Sequence, residues 1–292
     1  MGQRYVQGMS ATVRTLELAG TLLNYDVVGR GPPMIVLPGG PGFGYGYLKP
    51  HLSSALGSSF ELWFVDQRGC GHSLVDDPAT MRIEVLVDDL ERFREAMGLT
   101  QPHLLGHSFG GHHALRYAAA HPARVRSLIL VDSDPATAEQ WARSHQVLES
   151  RRTPEERRQL TDLAAADGWH RDLTLATEYF AIFLRAYFHS RDAHARLDMS
   201  LDAEVLENLE LATQTLRASL SGYDTRRLLK EITCPALVIT GTASIFGVEA
   251  EAELADLIPN ATLTVLEAGH FPHMEATTHF IEHVTRFTSA PD

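Results

Sequence analysis

Six residues, Gly106-His107-Ser108-Phe109-Gly110-Gly111, have the types and spacing for acyl transfer. They form a G-x-S-x-G pattern between an apolar run at His103–Leu105, which reads as a strand, and a helical stretch at Gly110–Ala120. Glycines there permit a sharp turn that lifts the Ser108 hydroxyl above a sheet. The helix N-terminus turns backbone N–H groups toward a developing anion. A hydroxyl needs a base. Of the 15 histidines, His270 lies in Gly269-His270-Phe271-Pro272-His273, directly after the last strand candidate, where a loop returns to the carboxyl edge of the sheet. His270 is therefore assigned as general base, with His273 as its neighbour. Pro38-Gly39-Gly40-Pro41-Gly42 follows another short strand, so its backbone can approach a ligand closely. The expected oxyanion donors are the N–H groups of Phe109 and Gly40, with Gly39 as the fallback. His107 is expected at the pocket wall, with a packing role equally open. No Cys-x-x-Cys spacing occurs, and neither a metal nor a cofactor is expected.

These residues need a scaffold, and the rest of the chain supplies one. Thr12–Ala19 and Thr21–Val28, separated by Gly20, read as an antiparallel hairpin. Met34–Leu37, Leu62–Val65, His103–Leu105, Ser127–Val131, Ala236–Ile239 and Thr262–Leu266 are short apolar runs of the kind buried on both faces of a parallel sheet. Helical spacing appears at Glu84–Met97, Gly110–Ala120, Glu249–Leu257 and Thr277–Phe287. This alternation predicts an α/β fold: an open, mostly parallel sheet flanked by helices. From Thr137 to Ser221 no strand signal appears, and long helical patterns surround the charged knot Arg151–Arg158. The expected organisation is a core of 1–136 and 222–292, with 137–221 inserted as a helical lid over the carboxyl end of the sheet.

Composition narrows the partners. The 292 residues carry a formal net charge of −12, against the surplus of Lys and Arg that nucleic acid or an anionic membrane would attract. A small-molecule substrate is the expected partner. Met1–Ser10 has no apolar core of a secretory signal, and Val6 stands where a myristoylation signal has Ser or Thr. Cys70 and Cys234 fit neither a disulfide framework nor a metal knuckle, so a cytoplasmic location is the expectation.

Taken together, Gly39–Gly42 (GGPG), Asp66-Gln67-Arg68-Gly69-Cys70-Gly71-His72-Ser73 (a DQRGxGxS type), the GHSFGG turn and the terminal GHFPH resemble the α/β-hydrolase superfamily, and more narrowly its proline iminopeptidase-like branch. The resemblance runs from about Thr21 to Phe287. It implies an acyl-enzyme on Ser108, and Asp66 and Arg68 as a structural charged pair fixing a loop. Two positions depart from the family pattern. Pro38 stands where the glycine loop opens with His, which alters how the oxyanion loop is braced. Gly241-Thr242-Ala243-Ser244 puts Ser244 where the family has its catalytic acid. Three explanations stay open. The acid has moved to Asp132, with Asp134 offering the same chemistry nearby. Alternatively, Ser244 is an engineered replacement, or the chain runs on a Ser–His pair or without hydrolysis.

Within the lid, Tyr179, Phe183 and Tyr187 are spaced i, i+4, i+8 and would share one helix face, as core or as pocket lining. An iminopeptidase needs carboxylates for a cationic amine; Glu178, Asp198, Asp202, Glu204 and Glu207 are available, and nothing selects one. The expected function is a serine hydrolase, an esterase or proline iminopeptidase-like peptidase, acting on a small ester, lactone or amide. The alternative is a non-hydrolytic lyase, isomerase or ligand-binding protein using the same cavity.

Overall fold

Continuous apolar runs require cover on both faces, and every one of those expected strands lies in a single sheet. The computed structural model describes residues 14–289. The start Met1–Ser10 and the first residues of the expected hairpin, Thr12 and Val13, lie outside the described residues. The strands are β1 (Arg14–Leu18), β2 (Thr21–Gly29), β3 (Pro33–Leu37), β4 (Glu61–Val65), β5 (Leu74–Val75), β6 (His103–His107), β7 (Ser127–Val131), β8 (Ala236–Gly241) and β9 (Ala261–Leu266). Their order is β1-β2-β4-β3-β6-β7-β8-β9, with β5 against β2. The pairings of β2 with β1, β4 and β5 are antiparallel, and all the others are parallel.

The two-residue period of a strand divides its side chains between two cores. In β7, Leu128 and Leu130 enter one apolar cluster while Ile129 and Val131 enter the other. In β8, Ala236 and Val238 divide from Leu237 and Ile239 in the same way. Helices α1 (Lys49–Leu56), α2 (Ile83–Ala96), α3 (Phe109–Ala120), α4 (Ala138–Arg151), α5 (Pro154–Ala165), α6 (Leu173–Phe183), α7 (Ala203–Gln214), α8 (Leu216–Ser219), α9 (Val248–Leu257), α10 (Pro272–Glu275) and α11 (Thr277–Thr288) complete the chain. Phe93 and Leu90 of α2 and Leu115 and Ala118 of α3 cover the first cluster; Leu52 of α1 and Phe280 and Val284 of α11 cover the second. Among the described residues no helix is long and apolar enough to cross a membrane.

Helices α4 to α8 all lie between β7 and β8. Thr137 and Thr153 start α4 and α5 with capping boxes, in which the Thr hydroxyl accepts the N3 N–H while the Gln140 or Glu156 side chain accepts the cap N–H. One expectation is corrected in this block. Helix α6 stops at Phe183, and Tyr187 sits in a 3-10 turn, Leu184–Tyr187, so the three aromatic residues do not share one α-helical face. Their rings still follow one another, with Tyr179–Phe183 centroids 5.6 Å and Phe183–Tyr187 centroids 5.5 Å apart.

The motif of the resemblance is also built differently from a simple charged pair. Arg68 is held by Asp89 of α2 through two bonds of 2.7 and 2.8 Å, both side chains being buried, and not by Asp66. Asp66 instead accepts the backbone N–H groups of Tyr45 and His72 and the Asn24 amide, fixing the loop after β4.

Candidate active site

The parallel register lays the ends of β6 and β7 side by side, with His107 opposite Val131. Ser108 follows β6 directly, and its φ of 54° and ψ of −125° place a non-glycine residue in a sparsely populated, strained region. Surrounding backbone over-determines that conformation. The Ser108 N–H donates to Val131 O at 3.1 Å, and its carbonyl accepts from Gly111 at 2.8 Å and Asp134 at 3.1 Å. Two glycines make the turn physically attainable. A Cβ on Gly106 would stand 2.3 Å from Gly110 O, and one on Gly110 would stand 2.1 Å from Leu37 O. Phe109 is the first residue of α3, where backbone N–H groups have no partner inside the helix.

His270 is in reach of an acid. Its Nδ1 lies 2.6 Å from Asp132 Oδ2, and both side chains are buried. Asp132 follows β7 with a φ of 40°, and its other oxygen accepts the Thr240 hydroxyl at 2.7 Å and faces the Gly241 N–H at 3.5 Å. The end of β8, where the family pattern would carry the acid, thus supplies donors to an acid on the neighbouring strand. Ser244 is occupied elsewhere: its hydroxyl accepts the Phe246 N–H at 3.0 Å. The His270 N–H donates to Tyr187 O at 2.7 Å, which ties the histidine loop to the helical block. With Nδ1 engaged by Asp132, Nε2 is the ring nitrogen left to serve a hydroxyl.

Gly39, Gly40, His107, Ser108 and His270 line one cavity of about 570 Å³. Of the two candidate donors in the glycine loop, Gly39 is spent, since its N–H donates to the Tyr47 hydroxyl at 2.8 Å. Tyr47 in turn meets His107 Nδ1 at 2.7 Å, and His107 Nε2 meets His270 O at 2.8 Å. One tautomer satisfies this chain: the Tyr47 O–H donates to Nδ1 and the Nε2–H donates to the carbonyl. Burial, helped by the neighbouring His270, lowers the His107 pKa to about 3, so the ring stays neutral as that pattern requires. The Gln67 amide donates to Pro38 O at 2.9 Å. Tyr47 and Gln67 therefore brace the loop that opens with proline. Neither was visible as a site residue in sequence, because both reach the loop through tertiary contacts.

Tyr179, Phe183 and Tyr187 line the same cavity, joined by Trp141, Trp169 and Phe180, which carry no motif. Phe180 packs edge-on against Phe43 of the glycine loop, with centroids 5.3 Å apart. None of the five acids weighed for an amine borders the cavity; Asp134, Glu149 and Glu210 do. Asp202 instead caps α7 and meets His72 at 2.7 Å. Asp134 is 5% exposed, and burial pushes its carboxyl up to about 7, with Arg217 opposing and Asp132 adding to the shift. His273 is buried, and desolvation holds its pKa well below the ordinary histidine value. Glu251, whose carboxyl oxygens are buried without partners, is pushed well above the carboxylate range by burial and by Asp132 and Asp134.

Comparison with known proteins fits this geometry. A family model described as alpha/beta hydrolase fold matches residues 32–277. A proline iminopeptidase of Lactobacillus delbrueckii subsp. bulgaricus is 30% identical over 268 residues, covering 86% of this chain and 87% of that protein. An alpha/beta fold family hydrolase of Bacillus anthracis superposes with a TM-score of 0.74 at 23% identity, over 94% of this chain and 99% of that one. A proline iminopeptidase of Mycobacterium smegmatis gives 0.69 at 22% identity, over 94% and 97% of the two chains. With a doubly wound sheet, a strained serine turn and these matches over most of its length, the chain belongs to the α/β-hydrolase family, as a proline iminopeptidase-like member of it.

Proposed function

We propose that this protein is a serine hydrolase that cleaves a small ester, lactone or amide through an acyl-enzyme on Ser108. The observation that carries the reading is the 2.6 Å contact between His270 Nδ1 and Asp132 Oδ2 beside the strained serine turn. Ser108 attacks the carbonyl carbon, and His270 Nε2 takes the hydroxyl proton. As the tetrahedral intermediate collapses, that proton passes to the leaving group. Asp132 fixes the imidazole tautomer and stabilises the imidazolium. The Phe109 and Gly40 N–H groups hold the oxyanion. Water then enters, His270 activates it, and Ser108 leaves. Helices α4 to α8 act as a lid whose aromatic side chains keep bulk water away while Ser108 is acylated.

Aminopeptidase action on an N-terminal residue is the form of this reading favoured by the relatives and by Asp134. That carboxylate borders the cavity next to Ser108 and suits a protonated amine. Asp134→Asn is expected to lower kcat/KM for proline p-nitroanilide by about 30-fold or more, mostly through KM, without changing the relative rates on uncharged esters. In the wild type, amine affinity should fall as pH drops below about 7, where Asp134 takes up its proton. The same shift has a stability consequence. Asp134 binds its proton more tightly when folded, so its favourable contribution is complete at low pH and is lost as pH rises from the ordinary carboxylate range through about 7. Asp134→Asn should accordingly melt higher than the wild type at pH 8 and alike at pH 4. An unchanged KM for the amine substrate rejects the aminopeptidase form, and absence of an acyl adduct by intact mass after incubation with activated esters rejects hydrolysis through Ser108.

A further inference from the structure

Four described arginines, Arg68, Arg94, Arg171 and Arg226, hold a carboxylate by one edge of the guanidinium, the edge formed by Nε and Nη2. Arg68 takes Asp89 this way at 2.7 and 2.8 Å, Arg94 takes Glu91 at 2.8 Å for both bonds, and Arg171 takes Glu210 at 2.9 and 3.1 Å. At Arg152 the same two nitrogens are buried and have no partner. This side chain is only 7% exposed, and its one bonded nitrogen, Nη1, goes to Glu149.

Arg152 borders the cavity that holds Ser108. Its guanidinium carbon lies 4.7 Å from the Phe183 ring centroid, a cation–π contact with α6. From the His270 ring the path runs 5.4 Å to Tyr187, 5.5 Å to Phe183, and then to the guanidinium. Pairing with Glu149 and stacking on Phe183 would not by themselves require this side chain to bury a charged, unpaired donor edge, which is costly. The other acids of the cavity do not fill that edge. Glu210 is committed to Arg171 and His170, and Asp134 stands at the Ser108 end, its N–H bonded to the Ser108 carbonyl.

We propose that Arg152 is a subsite for a carboxylate of the substrate, the side chain turning its sealed Nε/Nη2 edge toward the cavity as the ligand enters. The planar fork matches two carboxylate oxygens, as it does at four other arginines among the described residues. The substrate class is then a small acyl compound with a free carboxylate remote from the attacked carbonyl, the C-terminus of a short peptide included. The proposal rests on the hydrolytic reading for the scissile end of the substrate and adds the recognition of its other end.

Its test is a binding measurement on the intact protein. Trp141 and Trp169 border the cavity, so their fluorescence reports occupancy. The probes are 4-phenylbutanoate and 4-phenylbutanamide, which share a shape and differ in charge. The wild type is expected to bind the carboxylate about 50-fold more tightly than the amide, and Arg152→Met to abolish that ratio. Arg152→Lys keeps a charge but loses the fork, so the ratio should fall about tenfold. This variant also carries the test where Arg152→Met does not fold. Equal binding of the two probes by the wild type, or a ratio undiminished in either folded variant, overturns the subsite. Fluorophosphonate labelling of Ser108 is scored separately on the same wild-type protein. Labelling without carboxylate preference rejects the subsite alone; an Arg152-dependent preference without labelling supports the subsite and rejects only the hydrolytic reading.

Discussion

Asp132→Asn is expected to lower turnover by about 10⁴-fold, whereas Ser244→Asp should leave it close to the wild-type value. The amide oxygen or nitrogen of asparagine can occupy the same position 2.6 Å from His270 Nδ1, but it carries no charge to stabilise an imidazolium. Thr240 and Gly241, which now donate toward the carboxylate, would hold an asparagine carbonyl and turn its NH₂ toward His270, favouring the wrong ring tautomer. A carboxylate at 244 meets a different surrounding. The native Ser244 hydroxyl serves the Phe246 N–H, and His270 Nδ1 is already satisfied by Asp132. Steady-state kinetics on one activated ester, with melting curves to confirm folding, separates the cases. High activity in Asp132→Asn together with a large gain in Ser244→Asp would return the acid to the end of β8.

The second large effect concerns stability. Asp89→Ala is expected to cost about 3–5 kcal/mol, because it strands the Arg68 guanidinium in an interior where only 2% of that side chain meets solvent. Gly20 O and Ala19 O also accept from Arg68 at 2.8 and 3.0 Å, so these hydrogen bonds remain, but no carboxylate balances the charge. Against the roughly 5–15 kcal/mol of a typical domain, this is enough to unfold a large fraction of the protein on mild warming. Urea denaturation reads the loss directly, and a cost below about 1 kcal/mol, the level of an exposed ion pair, would mean that water reaches Arg68.

Ser108 and His270 were legible in sequence for different reasons. Ser108 has a local signature, since a strand, two close-packed glycines and a helix start are all written within ten residues of it. His270 had only its place after the last strand, and the fold converts that place into proximity. Sequence points to Asp132 by its place at the strand end, yet Asp134, two residues on, offers the same chemistry. What separates them is tertiary: Thr240 and His270 converge on Asp132, whereas Asp134 is left facing the cavity. The brace supplied by Tyr47 had no sequence signal either, because the hydroxyl reaches Gly39 and His107 only after the segment before α1 has docked. The strands were readable because burial on both faces removes polar residues from them. The cavity wall was readable only in part: a period-3.6 pattern extends Tyr179 and Phe183 to Tyr187, yet the chain tightens into a 3-10 turn there. Acids of the helical block were plentiful, and only packing determines which of them border the cavity.

The most direct test of the central claim is reaction of the folded wild-type protein with a fluorophosphonate, followed by peptide mass spectrometry. The expected result is one stoichiometric adduct on Ser108, fast in the wild type, slowed strongly by Asp132→Asn and absent in Ser108→Ala. A folded wild-type protein that acquires no adduct on Ser108 would contradict nucleophilic catalysis at this site.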